Sequence, residues 1–277
     1  MSRIALLLTV FNRREKTLLC LETCFLQIDE LRSGGKYEFD VYMVDDGCTD
    51  GTSDAVKEAF PQVNIIRRAG GDLYWNRGMR LAWEQAAKED YDFYLWINDD
   101  TFLLDGALAT LLDNSEFLRH RAIIAGTSRD SRGNLSYGGR TKNNKLIEPD
   151  PAIPVICYMF NGNLVLVPKY AYTHLGNLSP AYHHTFGDYD YGVRARKNGI
   201  PCVVAPGILA VCDRDHTLAP WRSSKYTLRQ RRAYRNSPKG RPAKEQFIFD
   251  TRLKGPFYAI GHGLSVIFKM LFPKKES

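Results

Sequence analysis

Strongly apolar runs alternate with amphipathic stretches through the first hundred residues of the chain. Ile4–Val10 and Tyr91–Ile97 are typical of strands that are covered on both faces. Shorter strands are predicted at Val41–Val44 and Val63–Arg67. Helices are predicted between the strands, at about 14–31, 52–60 and 75–88. This alternation predicts an α/β fold with a mainly parallel central sheet flanked by helices.

Polar clusters follow three of these predicted strands, at Thr9–Arg13, Asp45–Asp46 and Asn98–Asp100. Parallel strands place their carboxyl ends at one edge of a sheet, so we expect the three clusters to meet in one crevice. The adjacent carboxylates of Asp99 and Asp100 suit a divalent cation there. An acidic turn before a helix is the alternative interpretation of that pair when it is considered alone.

The second half of the chain has a less regular pattern. A helix that opens near Thr185 and ends before Gly199 is its clearest feature. The segment 131–148 is rich in turn formers and is predicted to form hairpins or a mobile loop. Further strands are predicted at 122–126, 160–167, 203–205 and 208–211.

Charge is distributed unevenly along the chain. Residues 221–277 hold 14 Lys and Arg against 3 Asp and Glu, whereas residues 1–220 hold 24 against 28. The basic end predicts an anionic partner, either a membrane surface or nucleic acid. Its apolar stretch, Leu264–Phe272, is far shorter than the roughly 20 residues that cross a bilayer. Cations beside an aromatic-rich amphipathic segment favour a membrane surface over nucleic acid, and a helix that packs or dimerises is the alternative.

The remaining composition indicates a cytosolic protein. Six cysteines lie mostly in apolar segments without a C-x-x-C pair, as expected of reduced core thiols. The apolar run behind Arg3 meets Asn12–Glu15 with no small-residue cleavage site, so we interpret it as a strand rather than a signal peptide. No G-x-G-x-x-G follows the first strand, which disfavours a dinucleotide oxidoreductase.

Five motifs occur in order along the chain: Thr9-x-x-Asn12-Arg13, Val44–Thr52, Asn76-x-Gly78, Asn98–Asp100 and Gly187-Asp188-x-Asp190-x-x-x-Arg194. Together they resemble the family 2 glycosyltransferases, which have the Rossmann-like GT-A fold and use nucleotide-sugar donors. The resemblance implies a catalytic domain at 1–220, with a nucleotide-binding half up to about residue 120 and an acceptor-binding half after it. A basic amphipathic helical extension follows at 221–277. The resemblance is strongest to bacterial enzymes of surface polysaccharide synthesis (O-antigen or capsule), including rhamnosyltransferase-like members.

The resemblance also implies a donor site for a nucleoside-diphosphate sugar, linked to dTDP or UDP. Asp45 would accept a hydrogen bond from the base. Mg²⁺ or Mn²⁺ would neutralise the diphosphate, with Asp100 and the downstream His216 as ligands; a surface histidine is the alternative for His216. Helix capping is the alternative for Asp46. The implied nucleotide-sugar-binding residues are Thr9, Phe11, Asn12, Arg13, Asp45, Asp46, Asn76, Gly78, Asn98 and Asp99.

Glycosyl transfer needs a general base, which by resemblance is Asp188. Position 187 is often acidic in the family but is glycine here, so Asp190 stays open as the base, with Arg194 one turn on to pair with it. A base without a separate nucleophile implies inversion. Core packing is the alternative role for Tyr74 and Trp75, and an exposed loop position without a binding role is the alternative for His184. The implied acceptor-binding residues are Tyr74, Trp75, Asn161, Gly162 and His184.

We therefore expect an inverting, metal-dependent glycosyltransferase at the cytoplasmic face of a bacterial membrane. Its acceptor would be a glycan, carried on a polyprenyl diphosphate. A homodimer is compatible with this expectation, and no nucleic-acid partner is expected. Two alternatives remain: a sugar nucleotidyltransferase, and a non-catalytic nucleotide-sugar-binding protein with the same fold. The sequence lacks the glycine- and lysine-rich N-terminal signature expected of the first alternative.

Overall fold

An eight-stranded sheet forms the centre of the protein in a computed structural model, which describes residues 1–214 and 220–273. Two smaller sheets, of two and four strands, accompany it. The strands are β1 (Ser2–Val10), β2 (Tyr37–Asp45), β3 (Asn64–Arg67), β4 (Phe93–Ile97), β5 (Phe102–Leu103), β6 (Ile123–Ala125), β7 (Ser128–Arg129), β8 (Leu135–Tyr137), β9 (Gly139–Arg140), β10 (Val155–Ile156), β11 (Met159–Phe160), β12 (Leu164–Pro168), β13 (Cys202–Val204) and β14 (Ala210–Val211).

Helices cover both faces of the large sheet, and further helices form the C-terminal extension. Two short 3₁₀ turns, Pro220–Arg222 and Pro238–Gly240, also belong to the extension. The α-helices are α1 (Arg14–Ser33), α2 (Thr52–Ala59), α3 (Tyr74–Ala86), α4 (Ala107–Phe117), α5 (Lys169–Leu175), α6 (Gly187–Lys197), α7 (Leu228–Asn236), α8 (Ala243–Lys254) and α9 (Pro256–Leu271).

The strand order of the large sheet, β10-β13-β6-β12-β4-β1-β2-β3, brings the predicted polar clusters to one edge. β1 runs parallel to β2 and β4, so the carboxyl ends of these three strands lie together. β12 runs antiparallel to β4, and its first residue, Leu164, pairs with Ile97. The turn that precedes β12 therefore reaches the same edge. The prediction of a mainly parallel α/β sheet is confirmed, and the antiparallel β12 adds a further loop to the edge that carries the polar clusters.

The side chains of β1 alternate between two apolar cores. Ile4, Leu6 and Leu8 pack on the face that α1, α2 and α4 cover, whereas Ala5 and Leu7 pack on the face that α3, α5 and α6 cover. All five residues are fully buried, which explains why the strand is apolar at successive positions rather than at every second one.

The second half departs from the predicted elements at one strand and agrees with the hairpin prediction at another segment. The strand predicted at 160–167 is divided into β11 and β12 by a turn at Asn161–Asn163, because the Asn-Gly-Asn sequence favours a turn over extended pairing. The segment predicted as hairpins or a mobile loop contains β8 and β9. β8 pairs with β7, and β9 pairs with β11.

The C-terminal extension packs against the α/β body rather than projecting from it. Phe249 of α8 stacks on Phe186, just before α6, with the two ring centroids 4.8 Å apart. Tyr182 and Val193 complete this third apolar cluster. Within residues 1–214 and 220–273, no helix is long and apolar enough to cross a membrane.

Helix α3 lies against β1 through a glycine. A Cβ atom at Gly78 would approach Oγ1 of Thr9 to 2.2 Å, so only glycine allows this spacing between helix and strand. Thr9 is one of the polar residues at the sheet edge, and Gly78 thus controls the position of part of that edge.

We expect Gly78→Ala to destabilise the fold by about 1–3 kcal/mol, because the added methyl group overpacks the contact with Thr9. Gly261→Ala is the matched control, since Gly261 is helical and a Cβ there meets no atom within 4 Å. That substitution should raise stability by about 0.5–1 kcal/mol through the better helix propensity of alanine. Thermal denaturation of both variants tests the pair, and equal melting temperatures would contradict it.

Candidate active site

A cavity of about 770 Å³ opens at the carboxyl edge of β1, β2 and β4. Its walls come from these strand ends, the Asn161–Asn163 turn, the start of α6 and the turn at Pro238–Gly240. The structure thus brings most of the predicted site residues into one place. Those that line the cavity are Thr9, Phe11, Arg13, Asp46, Tyr74, Trp75, Asn98, Asp99, Asp100, Asn161, Gly162, His184 and Asp188.

Two carboxylates and one guanidinium form the acidic end of the cavity. Nη1 of Arg13 donates to Oδ2 of Asp100 at 2.7 Å and to Oδ1 of Asp99 at 3.1 Å. Burial raises the pKa of Asp99 to about 7, although the positive charge of Arg13 opposes this rise. Asp100 is the more exposed carboxylate of the two, with 20% of its side chain accessible against 9% for Asp99.

Asp46 organises the backbone that leads into α3. Its carboxylate accepts hydrogen bonds from the N–H groups of Leu73 and Tyr74, at 3.0–3.1 Å. Burial raises the pKa of Asp46 nevertheless. Tyr74 has a φ of 56°, a conformation that costs energy in a non-glycine residue, and the bonds to Asp46 help to hold it.

Trp75 connects the strand edge to the opposite wall of the cavity. Its indole Nε1–H donates to Oδ1 of Asn98 at 2.7 Å, which fixes the amide orientation. Its backbone N–H approaches Nδ1 of His184 at 3.4 Å. Burial, together with the nearby charges of Lys239 and Arg13, lowers the pKa of His184 to about 4. His184 is therefore a neutral side chain at neutral pH.

Asp188 lies on the side of the cavity formed by α6. Its Oδ2 accepts from the N–H of Gly162 at 2.9 Å and its Oδ1 accepts from the N–H of Tyr189 at 2.8 Å. The side chain is only partly open to solvent, and burial raises its pKa to about 6. No arginine or lysine of the described residues forms an ion pair with it, although the charge of Arg140 opposes the rise in its pKa, and the side chain lines the cavity.

Asn161 supports the wall next to Asp188. Its Oδ1 accepts from Nε of Arg140 at 2.9 Å, and its Nδ2 donates to the hydroxyl group of Tyr189 at 3.2 Å. Arg140 is buried and also lies over the ring of Tyr189. This network holds the Asn161–Asn163 turn and the first turn of α6 together.

Two residues predicted at the nucleotide, Asn12 and Asp45, support the cavity without lining it. Asn12 accepts the N–H of Thr49 at 2.7 Å and so joins two loops. Asp45 accepts from the N–H of Cys48 at 2.7 Å and from the hydroxyl group of Ser53, so both its oxygens are used within its own loop. Asp46, one residue later, is the member of that pair that reaches the cavity.

Asn76 and Gly78 are also buried beneath the cavity instead of facing it. Nδ2 of Asn76 donates to the carbonyl oxygens of Ser179 and Tyr182, at 3.0 and 2.8 Å. The prediction that they open a helix is confirmed, because α3 begins at Tyr74. Neither residue faces the cavity, because Asn76 is bound to the 179–182 loop and Gly78 packs directly against Thr9 of β1.

Asp190 and Arg194 form a buried charge network behind α6. Asp190 is fully buried and accepts from Nε of Arg194 at 3.1 Å, from Nη1 of Arg252 at 2.9 Å and from the hydroxyl group of Tyr182 at 3.0 Å. It does not reach the cavity, whereas Asp188 does. His216 lies outside the described residues. His183 pairs with Glu245 of α8, with 2.5 Å between Nδ1 and Oε1.

Sequence reasoning missed several residues of the cavity wall. Tyr137 comes from β8, in a segment whose pattern did not define a conformation, and Phe186 has a φ of 76° that no motif indicates. Lys239 and Arg241 belong to the basic extension, where a charge count suggested a membrane surface instead. The Pro-Lys-Gly-Arg-Pro pattern around them is a turn signal and could have directed attention there.

The acidic end of the cavity fits a divalent cation. No group of three or more His, Cys, Asp or Glu side chains within the described ranges could hold a metal ion by itself. Mg²⁺ sites in nucleotide enzymes commonly use one or two carboxylates, with phosphate oxygens and water as the other ligands. Asp99 and Asp100 supply such a pair of hard oxygen donors.

Solved structures of glycosyltransferases share this architecture. S. aureus TarS has a TM-score of 0.59 and 12% identity over 91% of this chain and 43% of that chain, so the present chain spans less than half of TarS. S. aureus TarS 1-349 in complex with UDP-GlcNAc also has a TM-score of 0.59 and 12% identity, over 96% of this chain and 82% of that chain. The mannosyltransferase PcManGT from Pyrobaculum calidifontis, in complex with GDP-Man and Mn²⁺, has a TM-score of 0.54 and 15% identity. The match covers 98% of this chain and 75% of that chain.

The fold, with its cleft at the edge of the sheet, is the GT-A fold of these structures. The sequence model of glycosyl transferase family 2 matches residues 6–173, which is more than half of the chain. The protein belongs to glycosyltransferase family 2, a family of nucleotide-sugar-dependent transferases. A search of curated proteins gave no match.

Asp190→Ala should destabilise the protein by about 3–5 kcal/mol, because it leaves Arg194 and Arg252 without their buried counter-charge. Asp113→Ala is the control, since Asp113 is an exposed aspartate within α4 and its loss should change stability by less than about 0.5 kcal/mol. Melting temperatures of the two variants test this. A stable Asp190→Ala protein would show that the network is dispensable for folding.

Proposed function

We propose that the protein is an inverting, metal-dependent glycosyltransferase that moves a sugar from a nucleoside-diphosphate sugar to a glycan hydroxyl group. The observation that carries this proposal is the separation of roles among the carboxylates of one cavity. Asp99 and Asp100 lie at the end that Arg13 occupies, whereas Asp188 forms no ion pair within the described residues and is oriented by two backbone N–H groups.

The donor diphosphate belongs at the acidic end. A divalent cation bound by Asp100, with Asp99 beside it, would neutralise the charge that develops on the departing diphosphate. Arg13 is within reach of the same position and supplies a second positive charge. Thr9, Phe11 and Asp46 line the adjoining wall, where we place the nucleoside. We expect dTDP or UDP as the nucleotide; UDP and UDP-GlcNAc are ligands in TarS structures.

Asp188 is the general base of the proposed reaction. The acceptor hydroxyl group gives its proton to the carboxylate of Asp188 as its oxygen forms a bond to the anomeric carbon. The bond between that carbon and the diphosphate oxygen breaks at the same time, and its electron pair leaves with the diphosphate. The raised pKa of about 6 suits this role, because the group is ionised at neutral pH yet basic enough to hold a proton.

One displacement without a covalent enzyme intermediate inverts the anomeric configuration. The other carboxylates of the cavity have different partners: Asp46 holds backbone N–H groups, and Asp99 and Asp100 hold Arg13. Trp75 and Tyr74 lie beside the acceptor side and offer an aromatic wall to a sugar ring. Asn161, Gly162 and His184 complete that side.

Replacing the base and the metal ligand should have separable effects. Nucleotide sugars linked to UDP, dTDP and GDP are first screened for thermal stabilisation with Mn²⁺, which identifies the donor. Asp188→Asn should then bind that donor normally but lose about 10²–10⁴-fold in transfer rate. Asp100→Ala should lose both transfer and the stabilisation that depends on Mn²⁺. Asp113→Asn is the control and should retain both.

The pH dependence gives a second readout of the same assignment. A general base acts only when it is unprotonated, so kcat/KM should fall as the pH drops through about 6, the pKa of Asp188. NMR of the product should show the inverted anomer. Full transfer activity in Asp188→Asn would sink the assignment of the base, and donor binding without turnover in the wild type would favour the non-catalytic alternative.

We further propose that the extension holds the enzyme on an anionic membrane at the cytoplasmic face, next to a polyprenyl-diphosphate-linked glycan of bacterial surface polysaccharide synthesis. Exposed apolar side chains follow one another along α9 at helical spacing, which forms a stripe rather than scattered sites. The surplus of 11 positive charges in residues 221–277 complements anionic lipid head groups. The stripe consists of Phe257, Ile260, Leu264, Ile267, Phe268 and Leu271.

The double variant Leu264→Glu/Phe268→Glu should abolish sedimentation with vesicles that contain phosphatidylglycerol, because it places two charges in the stripe of α9. Phe117→Glu is the control, since Phe117 is 74% exposed on α4 and lies outside the extension. Wild-type binding should weaken in high salt. Failure to bind these vesicles, together with a dimer that the double variant dissociates, would contradict the proposal and identify the stripe as a contact between copies.

A further inference from the structure

The turn at Pro238–Gly240 places two cations of the extension on the catalytic cavity. Lys239 and the following Arg241 both line it, on either side of Gly240. A Cβ atom at Gly240 would lie 1.6 Å from the carbonyl oxygen of Tyr234, so glycine is required for this close approach. The turn is also fixed by a hydrogen bond from Nη1 of the buried Arg235 to the carbonyl oxygen of Gly240, at 3.3 Å.

These two cations have no ion-pair partner among the carboxylates of the described ranges. The guanidinium group of Arg241 lies 5.5 Å from the centroid of the Phe186 ring, and its φ of 66° is a costly conformation for a non-glycine residue. A strained backbone that directs an unpaired charge into a cavity is typical of a binding site. By contrast, Arg13 at the other end of the cavity is paired with two carboxylates.

The position of the turn relates the two cations to the acceptor side. Thr185, three residues before Asp188, approaches the carbonyl oxygen of Pro238 with its hydroxyl group at 3.5 Å. Arg241 packs on Phe186, and the charge of Lys239 acts on His184. The segment that contacts this turn is therefore the one that leads into α6 and Asp188.

We propose that Lys239 and Arg241 bind a phosphate group of the acceptor, close to the hydroxyl group that receives the sugar. This inference rests on the proposed function, because it takes Asp188 as the base. A phosphate of a lipid-linked glycan carries negative charge that two cations at a cavity wall would neutralise. The chemistry that the site recognises is a prenyl diphosphate attached to the acceptor sugar.

Calorimetry on the full chain in detergent tests this with three probes: farnesyl diphosphate, farnesol and UDP with Mn²⁺. The double variant Lys239→Gln/Arg241→Gln should lower the affinity for farnesyl diphosphate at least tenfold and change the affinity for UDP less than twofold. Lys239→Gln alone should lower the affinity for farnesyl diphosphate severalfold, and it leaves Arg241, with its positive φ, unchanged. Lys244→Gln is the control, as Lys244 is exposed in the same basic segment. Farnesol, which lacks phosphate, should bind equally to all variants.

Two results would overturn the inference. Unchanged farnesyl diphosphate binding in the double variant excludes a phosphate site at this turn. Loss of UDP affinity with farnesyl diphosphate unaffected, or an equal loss of both, assigns the cations to the donor diphosphate instead. Failure of the proposed function looks different, because wild-type protein would then show no metal-dependent binding or transfer with any nucleotide sugar.

Discussion

The buried carboxylate of Asp190 joins the parts of the molecule on which the cavity depends. It accepts hydrogen bonds from Arg194 of α6, Arg252 of α8 and Tyr182 of the loop between α5 and α6. Such a group is costly to bury unless all its partners are present, so the helix with Asp188 and the extension must come together in one arrangement. The contact of His183 with Glu245 reinforces the same junction.

Carboxylates within a short distance serve different tasks because their surroundings differ. Asp45 and Asp46 stabilise loops, Asp99 and Asp100 face Arg13, and Asp188 accepts hydrogen bonds from backbone N–H groups. Burial shifts the pKa of Asp99 and Asp188 upward, to about 7 and about 6. The ability to hold positive charge at one end and to accept a proton at the other follows from these partners.

The sequence predicts the first half of the fold well because its strands are buried on both faces and end in polar clusters. Parallel pairing alone then brings Thr9, Asp46 and Asp100 to one edge. The sequence could not show which of Asp45 and Asp46 lines the cavity. That depends on which carboxylate accepts the N–H groups of its own turn, and in the structure this is Asp45. Nor could the sequence place Lys239, since a contact between α8 and α6 far along the chain brings that turn to the cavity.

The family match ends at residue 173, before α6 and the extension. The carboxylates of the acidic end lie inside the matched region, whereas Asp188, Lys239 and Arg241 lie beyond it. Under the proposed assignment, the donor end of the cavity lies within the matched stretch, whereas the acceptor side combines Trp75 and Asn161 of that stretch with the base and the two cations that follow it. Substitutions in the last hundred residues can then change which glycan is extended, while the chemistry of sugar activation is inherited intact.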